Sequence, residues 1–283
     1  MRTTCVVVLS AVLLAGEIRV APQAGQPETV VVRSGTVALH ALFWRPMGRG
    51  PFPGLLLNHG SGRTAEQLKR LGPYEDSAYA LGPVFARHGY AFLYLFRRGV
   101  GLSADQGTSS IDLMERERAA RGPEGRNTIQ MQLLEQREMN DALAGLAFLR
   151  ARHDVDANDV GLVGHSFGGS LTVLMAARDS RLRAAVVFSA AGYSWDLSPE
   201  LRQRLLMALG RASAPIFFIH AENDYSLSGT AMDAELVRLG KPHRLKVYPT
   251  FGQDADEGHE FANRGVSIWE RDVFAFLDQY MLK

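Results

Sequence analysis

The sequence predicts an α/β domain with a mostly parallel central sheet and helices on both of its faces. Short apolar runs alternate with helical segments from residue 53 to the C-terminus, which is the pattern of repeated strand–helix units. Residues 55–57 and 160–163 are wholly apolar, as expected of strands buried on both faces. With 283 residues, 46% of them hydrophobic, the chain can bury the core of one domain, which we expect over residues 26–283.

The first elements are predicted from turn residues and apolar runs. Ser34-Gly35 is a two-residue turn that joins two strand-like segments into a hairpin, and Gly89 ends a helical segment. The predicted elements in this part of the chain are strands at 28–33, 37–44, 55–57 and 90–96 and a helix at 76–88.

Residues 97–127 interrupt this pattern. They are polar and rich in charges, with five glycines from Gly99 to Gly125 and no apolar periodicity. Because a connection of about thirty residues is long for a compact domain, this stretch is predicted to be a functional loop or a partial cap.

Helical periodicity marks the long helices that follow. Apolar residues recur on one face over residues 129–152 and again in the last helix, from Trp269 to Tyr280. Between them we predict strands at 160–163, 184–189, 216–220 and 245–248 and helices at 170–178, 201–209 and 229–239.

The N-terminus has the layout of a secretory signal peptide. Arg2 precedes an apolar run over residues 5–15, and small or turn-forming residues follow as far as Gln26. A leader at residues 1–25 and export to the periplasm or medium are therefore expected, with no clean Ala-x-Ala site to mark cleavage. A buried first strand is the alternative. The run is too short for a stable membrane span.

Composition argues against several classes of partner. The formal net charge is +1 and the basic residues are spread along the chain, so no nucleic-acid partner is expected. Cys5 is the single cysteine, and the eight histidines include no His-x-x-x-His pair, so no metal site is expected. Oligomeric state is left open.

Ser166 is the strongest candidate for a chemical role. It stands at the centre of Gly164-His-Ser-Phe-Gly168, between an apolar run and an Ala/Leu/Met-rich segment. A serine on a tight strand-to-helix turn is the arrangement of a nucleophile elbow, which holds the hydroxyl above the edge of a sheet. The alternative is a serine that only caps the helix.

A nucleophilic serine needs a base, and the base needs an orienting acid. Asp224 follows the predicted strand 216–220, and His259 lies between the last strand and the last helix, in the order serine, acid, histidine. Rival acids are Asp254, Asp256, Glu257 and Glu222, and the weaker histidine candidates are His220, His243 and His153.

An oxyanion would also need two N–H donors. Phe167, at the start of the helix, supplies one, and Ser61, in the loop after residues 55–57, is the candidate for the other. His59 in the same loop is interpreted as structural, packing beneath it.

From about residue 30 onward the chain resembles the α/β-hydrolase superfamily, and its Gly-His-Ser-Phe-Gly-Gly and Gly-His-Glu-Phe segments look most like the dienelactone-hydrolase-like branch. The segment from Arg98 to Ser103 is similar to Arg-Gly-x-Gly-x-Ser in many members, with Phe96 where an aspartate often stands. Dienelactone hydrolases proper use a cysteine nucleophile, whereas this chain has Ser166. The resemblance implies the α/β-hydrolase fold and catalysis without a metal or organic cofactor.

We therefore expect a serine hydrolase that cleaves small-molecule carboxylic esters through an acyl-enzyme. Tyr193, Trp195 and residues 97–127 would line its pocket, and Arg97 or Arg98 would bind a substrate carboxylate if it does not simply tie down a loop. Two alternatives stay open: a peptidase or amidase of the prolyl-oligopeptidase type, and a non-catalytic binding protein with this fold.

Overall fold

An eight-stranded sheet forms the centre of the computed structural model, which describes residues 25–281. The strand order is β1-β2-β4-β3-β5-β6-β7-β8. The strands are β1 (Glu28–Ser34), β2 (Val37–Trp44), β3 (Phe52–Asn58), β4 (Ala91–Leu95), β5 (Val155–His165), β6 (Ala185–Phe188), β7 (Ile216–Ala221) and β8 (His243–Tyr248).

The sheet is mostly parallel, as predicted. β1 pairs with β2 and β2 with β4 in antiparallel register, whereas the pairs from β4 through β3 to β8 are all parallel. Parallel strands bring their carboxyl ends to one edge of the sheet, and loops at that edge form the usual ligand site of such folds. The predicted α/β fold class is confirmed.

Helices cover both faces of the sheet. They are α1 (Ala65–Leu71), α2 (Tyr74–Arg87), α3 (Ser110–Gln132), α4 (Glu138–Ala151), α5 (Phe167–Ala176), α6 (Ser194–Leu197), α7 (Pro199–Leu209), α8 (Ser228–Arg238), α9 (Ala255–His259), α10 (Phe261–Arg264) and α11 (Val266–Met281). None of the helices within residues 25–281 has both the length and the apolar character needed to cross a bilayer.

The central strands are buried on both sides, which explains their wholly apolar sequences. Leu56 of β3 packs into a cluster with Leu146 of α4 and Leu171 of α5. Its neighbours Leu55 and Leu57 point to the other face, into a cluster with residues of α2 and α11. Because successive side chains of a strand point to opposite faces, a strand between two helical layers needs apolar residues at every position.

The segment predicted as a loop or partial cap at 97–127 is largely helical. A short 3₁₀ turn at Gly101–Gln106 leads into α3, which Ser109 caps by accepting a hydrogen bond from the Asp112 N–H at 3.2 Å. Gly122, at φ 68°, interrupts α3. The sequence of α3 is mostly polar and few of its side chains are buried. It therefore shows no apolar stripe from which a helix could be predicted.

The predicted leader at residues 1–25 lies, except for Gly25, outside the described residues.

Helix α1 was not predicted, although Thr64 and Gln67 have the spacing of a helix-capping pair: the Gln67 N–H donates to Thr64 Oγ1 at 3.0 Å.

Asp159, in β5, is a partly buried carboxylate whose ionised form destabilises the folded protein. Its Oδ1 is buried without a hydrogen-bond partner among residues 25–281, and the nearest guanidinium nitrogen, of Arg183, is 3.9 Å away. Burial raises the pKa of Asp159 to about 6, because this desolvation outweighs the attraction of Arg183, and the nearby Asp156 adds repulsion.

We expect Asp159→Asn to stabilise the protein in neutral solution. The folded state binds the Asp159 proton more tightly than the unfolded chain, so the free energy of unfolding falls as pH rises towards 6 and stays lower above it. The variant should unfold about 2–4 °C above wild type at pH 8. At pH 4 the two should unfold together. Thermal unfolding by circular dichroism checks this, and equal midpoints at pH 8 would contradict it.

Candidate active site

Ser166 lies at the junction of β5 and α5 in a strained backbone conformation. Its φ is 56° and its ψ is −118°, a region that residues with a Cβ rarely adopt. Hydrogen bonds hold it there: the Ser166 N–H donates to Phe188 O at 3.0 Å, and the Ser166 carbonyl accepts from Ser170 N–H at 3.0 Å. The structure thus has the strand–turn–helix that the sequence predicts around this serine.

Glycines allow this turn because neighbouring backbone comes too close for a side chain. A Cβ on Gly168 would overlap the carbonyl of Asn58 at the end of β3, and one on Gly164 would overlap Thr172 Oγ1. On the helix side, a Cβ on Gly169 would lie 3.0 Å from the Ala190 Cα. The turn, β3 and α5 therefore pack backbone against backbone.

Ser166, His259 and Asp224 form one hydrogen-bonded chain. The Ser166 hydroxyl donates to His259 Nε2 at 2.8 Å, and His259 Nδ1–H donates to Asp224 Oδ1 at 2.7 Å. The three side chains are far apart in sequence, and the ends of β5, β7 and β8 bring them to the same edge of the sheet. Such a chain can transfer the serine proton to the imidazole, with the carboxylate orienting the ring.

Asp224 is a buried charge with several hydrogen-bond donors around it. Its side chain is 0% exposed, and Oδ1 also accepts from the Tyr225 N–H at 2.6 Å. Burial alone would raise its pKa, but the His259 charge and hydrogen bonds from His220, His259 and Ser189 hold the pKa of Asp224 far below its ordinary value. Asp224 is therefore ionised at any pH at which the protein is expected to work.

His259 ends the short helix α9 and is fixed from two sides. Its carbonyl accepts a hydrogen bond from His165 Nε2–H at 2.8 Å, and the Tyr225 ring centroid lies 4.6 Å from its own. The preceding Gly258 has no room for a Cβ, which would lie 2.7 Å from the Asn223 side chain. Burial and the neighbouring His259 lower the pKa of His165, which suits a neutral hydrogen-bond donor.

The rival acids lie nearby but make other contacts. Asp254 caps α9 through the Glu257 N–H at 2.9 Å, and Glu257 itself accepts from the Gln253 N–H at 2.6 Å. Asp256 accepts a hydrogen bond from the Tyr225 hydroxyl. Glu222 is exposed. Among these acids and Asp224, it is Asp224 that accepts the His259 Nδ1–H.

The other candidate histidines are also separate from Ser166. His243 faces Asp233 at 3.5 Å, and His153 is exposed. His220 Nδ1 lies 3.4 Å from Asp224 Oδ2, whereas His259 contacts the other oxygen, Oδ1. The sequence analysis does not predict this contact of His220.

Phe167 and Ser61 are the two residues whose N–H groups are expected to bind an oxyanion. Phe167 has a free N–H because of its position in α5. It is the first residue of α5, and the first N–H groups of a helix have no acceptor within the helix. Ser61 is buried in the loop after β3, and its hydroxyl donates to Gly62 O at 3.1 Å. The loop passes close to the nucleophile: a Cβ on Gly60 would lie 3.3 Å from the Ser166 Cβ.

His59 lies under this loop, as the sequence suggested. Its Nδ1–H donates to Gly60 O at 2.6 Å and its Nε2 accepts from the Arg97 N–H at 3.2 Å. Burial and the Arg97 charge hold the pKa of His59 well below its ordinary value, so it remains neutral.

A cleft opens beside Ser166 and His259. Tyr193 lines it, as predicted, whereas Trp195 and residues 97–127 do not. Trp195 is instead 6% exposed and packs in the core. Several lining residues were missed, because they lie on α1 and α2 or on the loops that face them: Arg63, Gln67, Leu68, Tyr74, Tyr225 and Glu260.

The two arginines after β4 tie down loops and are not among the residues lining the cleft. Arg97 Nε donates to Glu138 Oε2 at 2.7 Å, and Arg98 Nε donates to Asp141 Oδ2 at 2.8 Å. Both carboxylates are buried in α4, so each arginine neutralises a charge that would otherwise be unpaired. The expectation that Arg98 binds substrate is not supported by this placement.

Arg63, on the loop before α1, lies at the mouth of the cleft. Its guanidinium carbon is 5.5 Å from the centroid of the Tyr193 ring and 5.7 Å from that of Tyr225. Among residues 25–281, no group of three or more His, Cys, Asp or Glu side chains is arranged to hold a metal ion.

A sequence model of the dienelactone hydrolase family matches residues 85–281, more than half of the chain. This range includes Ser166, Asp224 and His259 but not the loop that carries Ser61 and Arg63.

Solved structures share the fold at low sequence identity. Acylaminoacyl peptidase from Pyrococcus horikoshii has a TM-score of 0.62 at 16% identity, over 89% of this chain and 40% of that protein. A proposed dienelactone hydrolase from Klebsiella pneumoniae has a TM-score of 0.60 at 20% identity, over 90% and 98% of the two chains. Est1E from Butyrivibrio proteoclasticus has a TM-score of 0.59 at 15% identity, over 90% and 99%. The chain thus spans about two fifths of the peptidase.

We expect Gly168→Ala to destabilise the whole domain, because the added methyl group would overlap the Asn58 carbonyl and force β3 and α5 apart. The expected loss is about 3 kcal/mol or more of the free energy of unfolding, measured in urea. Gly210→Ala is the matched control, since Gly210 has helical dihedral angles and its nearest neighbour is 3.3 Å from the new Cβ. Equal stability of the two variants would contradict the close-packing argument.

Proposed function

The chain belongs to the dienelactone hydrolase family, an enzyme family of the hydrolase type, and we propose that it is a serine hydrolase that cleaves carboxylic esters through an acyl-enzyme on Ser166. One observation carries this proposal. The Ser166 hydroxyl is 2.8 Å from His259 Nε2, while the Nδ1 of the same ring is 2.7 Å from a buried carboxylate. A serine that merely capped α5 would need neither partner.

In the proposed acylation step, His259 Nε2 takes the Ser166 proton as Oγ attacks the ester carbonyl. Asp224 holds the ring so that Nδ1 keeps its proton and Nε2 faces the serine. The imidazolium that forms is stabilised by the carboxylate, which the surrounding donors keep ionised.

The developing oxyanion would be bound by two N–H groups, those of Phe167 and Ser61. Phe167 adds the favourable field of the α5 N-terminus. Donors of this kind contribute roughly 2.7–4 kcal/mol each to transition-state stabilisation. Collapse of the tetrahedral intermediate expels the alcohol, which receives its proton from His259.

Deacylation repeats these steps with water as the nucleophile. His259 takes a proton from water, the hydroxide attacks the acyl carbonyl, and Ser166 leaves with the proton returned to it. Side chains, backbone N–H groups and water suffice for every step.

The cleft suggests how an ester would lie. Apolar side chains from both sheet and helices line much of it, among them Leu68, Leu71 and Phe188, and suit an apolar acyl or alcohol group. Arg63 supplies a positive charge at the mouth, close to two tyrosine rings, and favours esters that also carry a carboxylate.

Peptide hydrolysis is the second candidate, since the fold is shared with an acylaminoacyl peptidase and with Porphyromonas gingivalis dipeptidyl peptidase 4. The same serine chemistry serves both reactions, so the two differ in the leaving group that the cleft accepts. A binding protein without activity is the third candidate.

Ser166→Ala should abolish turnover of p-nitrophenyl butyrate, by a factor of about 10⁴ or more, because no other hydroxyl of residues 25–281 is hydrogen-bonded to His259 Nε2. Asp224→Asn should lower kcat by about 10³-fold or more, since the amide no longer stabilises the imidazolium. Circular dichroism verifies that both variants fold. Turnover of the ester by Ser166→Ala at the wild-type rate would refute the proposed nucleophile.

The same proteins can distinguish the three candidates. A fluorophosphonate probe should label Ser166 in wild type and leave Ser166→Ala unlabelled. Folded wild type that resists labelling would favour the binding protein. An esterase leaves the p-nitroanilide of the same acyl group intact, whereas release of p-nitroaniline from N-acylated amino-acid anilides would favour the peptidase.

Arg63→Ala should raise KM for mono-p-nitrophenyl glutarate about fivefold, because an exposed guanidinium–carboxylate pair is worth about 1 kcal/mol. KM for p-nitrophenyl butyrate should change by less than about twofold, since that ester is neutral. Arg116→Ala, an exposed arginine of α3, is the control and should affect neither ester. An equal effect of Arg63→Ala on both esters would show that Arg63 does not select for charge.

A further inference from the structure

We propose that His220 is a positioning residue, which holds the Asp224 carboxylate in the orientation that His259 requires. The inference rests on the proposed function, because it concerns the efficiency of the Ser166–His259–Asp224 chain. His220 lies near the end of β7, four residues before Asp224, and its side chain is 1% exposed.

Two contacts determine which nitrogen of His220 carries the proton. The Gly229 N–H, in the first turn of α8, donates to His220 Nε2 at 2.8 Å. A nitrogen that accepts a hydrogen bond has no proton, so the neutral ring carries its proton on Nδ1. His220 Nδ1 lies 3.4 Å from Asp224 Oδ2 and is therefore the donor in this contact.

The two oxygens of Asp224 thus have different partners. Oδ1 accepts from His259 Nδ1–H at 2.7 Å and from the Tyr225 N–H at 2.6 Å. Oδ2 faces His220, so donors on both oxygens define the plane of the carboxylate. Rotation about the Cβ–Cγ bond of Asp224 would break both sets of contacts, which keeps Oδ1 aligned with His259.

The His220 ring has little freedom to move. A Cβ on Gly229 would overlap His220 Nε2, so this glycine allows the first turn of α8 to approach the ring. The free N–H at the start of the helix is satisfied by Nε2, and the ring is held between α8 and Asp224. The strand end, the helix N-terminus and the carboxylate therefore form one connected unit.

Two substitutions separate the contacts of His220. Asn places an amide nitrogen where Nδ1 was, so His220→Asn keeps the donor to Asp224 and loses the acceptor for the Gly229 N–H. Gln extends one atom further, so His220→Gln keeps an acceptor near Gly229 and loses the donor to Asp224. We expect His220→Gln to lower kcat for p-nitrophenyl butyrate about 10-fold with KM unchanged, as misalignment of a catalytic group does.

His220→Asn should restore most of that turnover even though its thermal midpoint falls by a few degrees, because the buried Gly229 N–H is left unpaired. His220→Gln then has the lower kcat of the two variants, whereas His220→Asn has the lower thermal midpoint. A purely structural role for His220 would make kcat follow the thermal midpoint, and that result would overturn the proposal, as would wild-type kcat in His220→Gln.

Two controls make the outcome specific. His243→Gln removes a histidine of β8 that faces Asp233 of α8 at 3.5 Å, a similar pair outside the site, and should leave kcat unchanged. Ser166→Ala is measured in the same assay. If Ser166→Ala is inactive while His220→Gln has wild-type kcat, only the positioning role fails. If Ser166→Ala is active, the proposed function itself fails.

Discussion

The tight turn at Ser166 is the constraint on which the rest of the site depends. Its positive φ costs free energy, of order 1–3 kcal/mol for such a conformation. The close packing of backbone against backbone around the turn offsets this strain. Asn58 of β3 lies where a Cβ of Gly168 would be, and Phe188 of β6 accepts the Ser166 N–H. The two strands on either side of β5 therefore hold the serine above the sheet edge.

Buried charge is the second organising element of the structure, and ion pairs with defined partners lie close to the site. Arg97 with Glu138 and Arg98 with Asp141 connect the segment after β4 to helix α4. Because an unpaired buried ion is costly, these pairs specify where that segment lies and keep His59 beneath the loop that carries Ser61. Asp224 differs, because its partners are two histidines, Ser189 and a backbone N–H, and the carboxylate can therefore support a positive charge on His259.

The helix α3 shows how a charged segment can shape a cleft that it does not line. Arg126, buried in α3, donates to the hydroxyl of Tyr193, and Gln130 donates to Ser194 Oγ at 3.3 Å. Tyr193 in turn lines the cleft beside Ser166. The position of this wall thus depends on hydrogen bonds from a helix outside the cleft.

The sequence predicts the fold class, a counterpart of each of the eight strands in the described sheet, and the candidates Ser166, Asp224 and His259, because apolar period and turn glycines are local signals. It does not predict α1, which has only seven residues, or α3, whose largely polar sequence shows no apolar stripe. The folded protein is needed to show which acid faces His259, that Arg98 pairs with Asp141, and that Arg63 and His220 adjoin the site. A hydrogen bond or ion pair depends on positions in space, which distant strands and helices set together and no local pattern encodes.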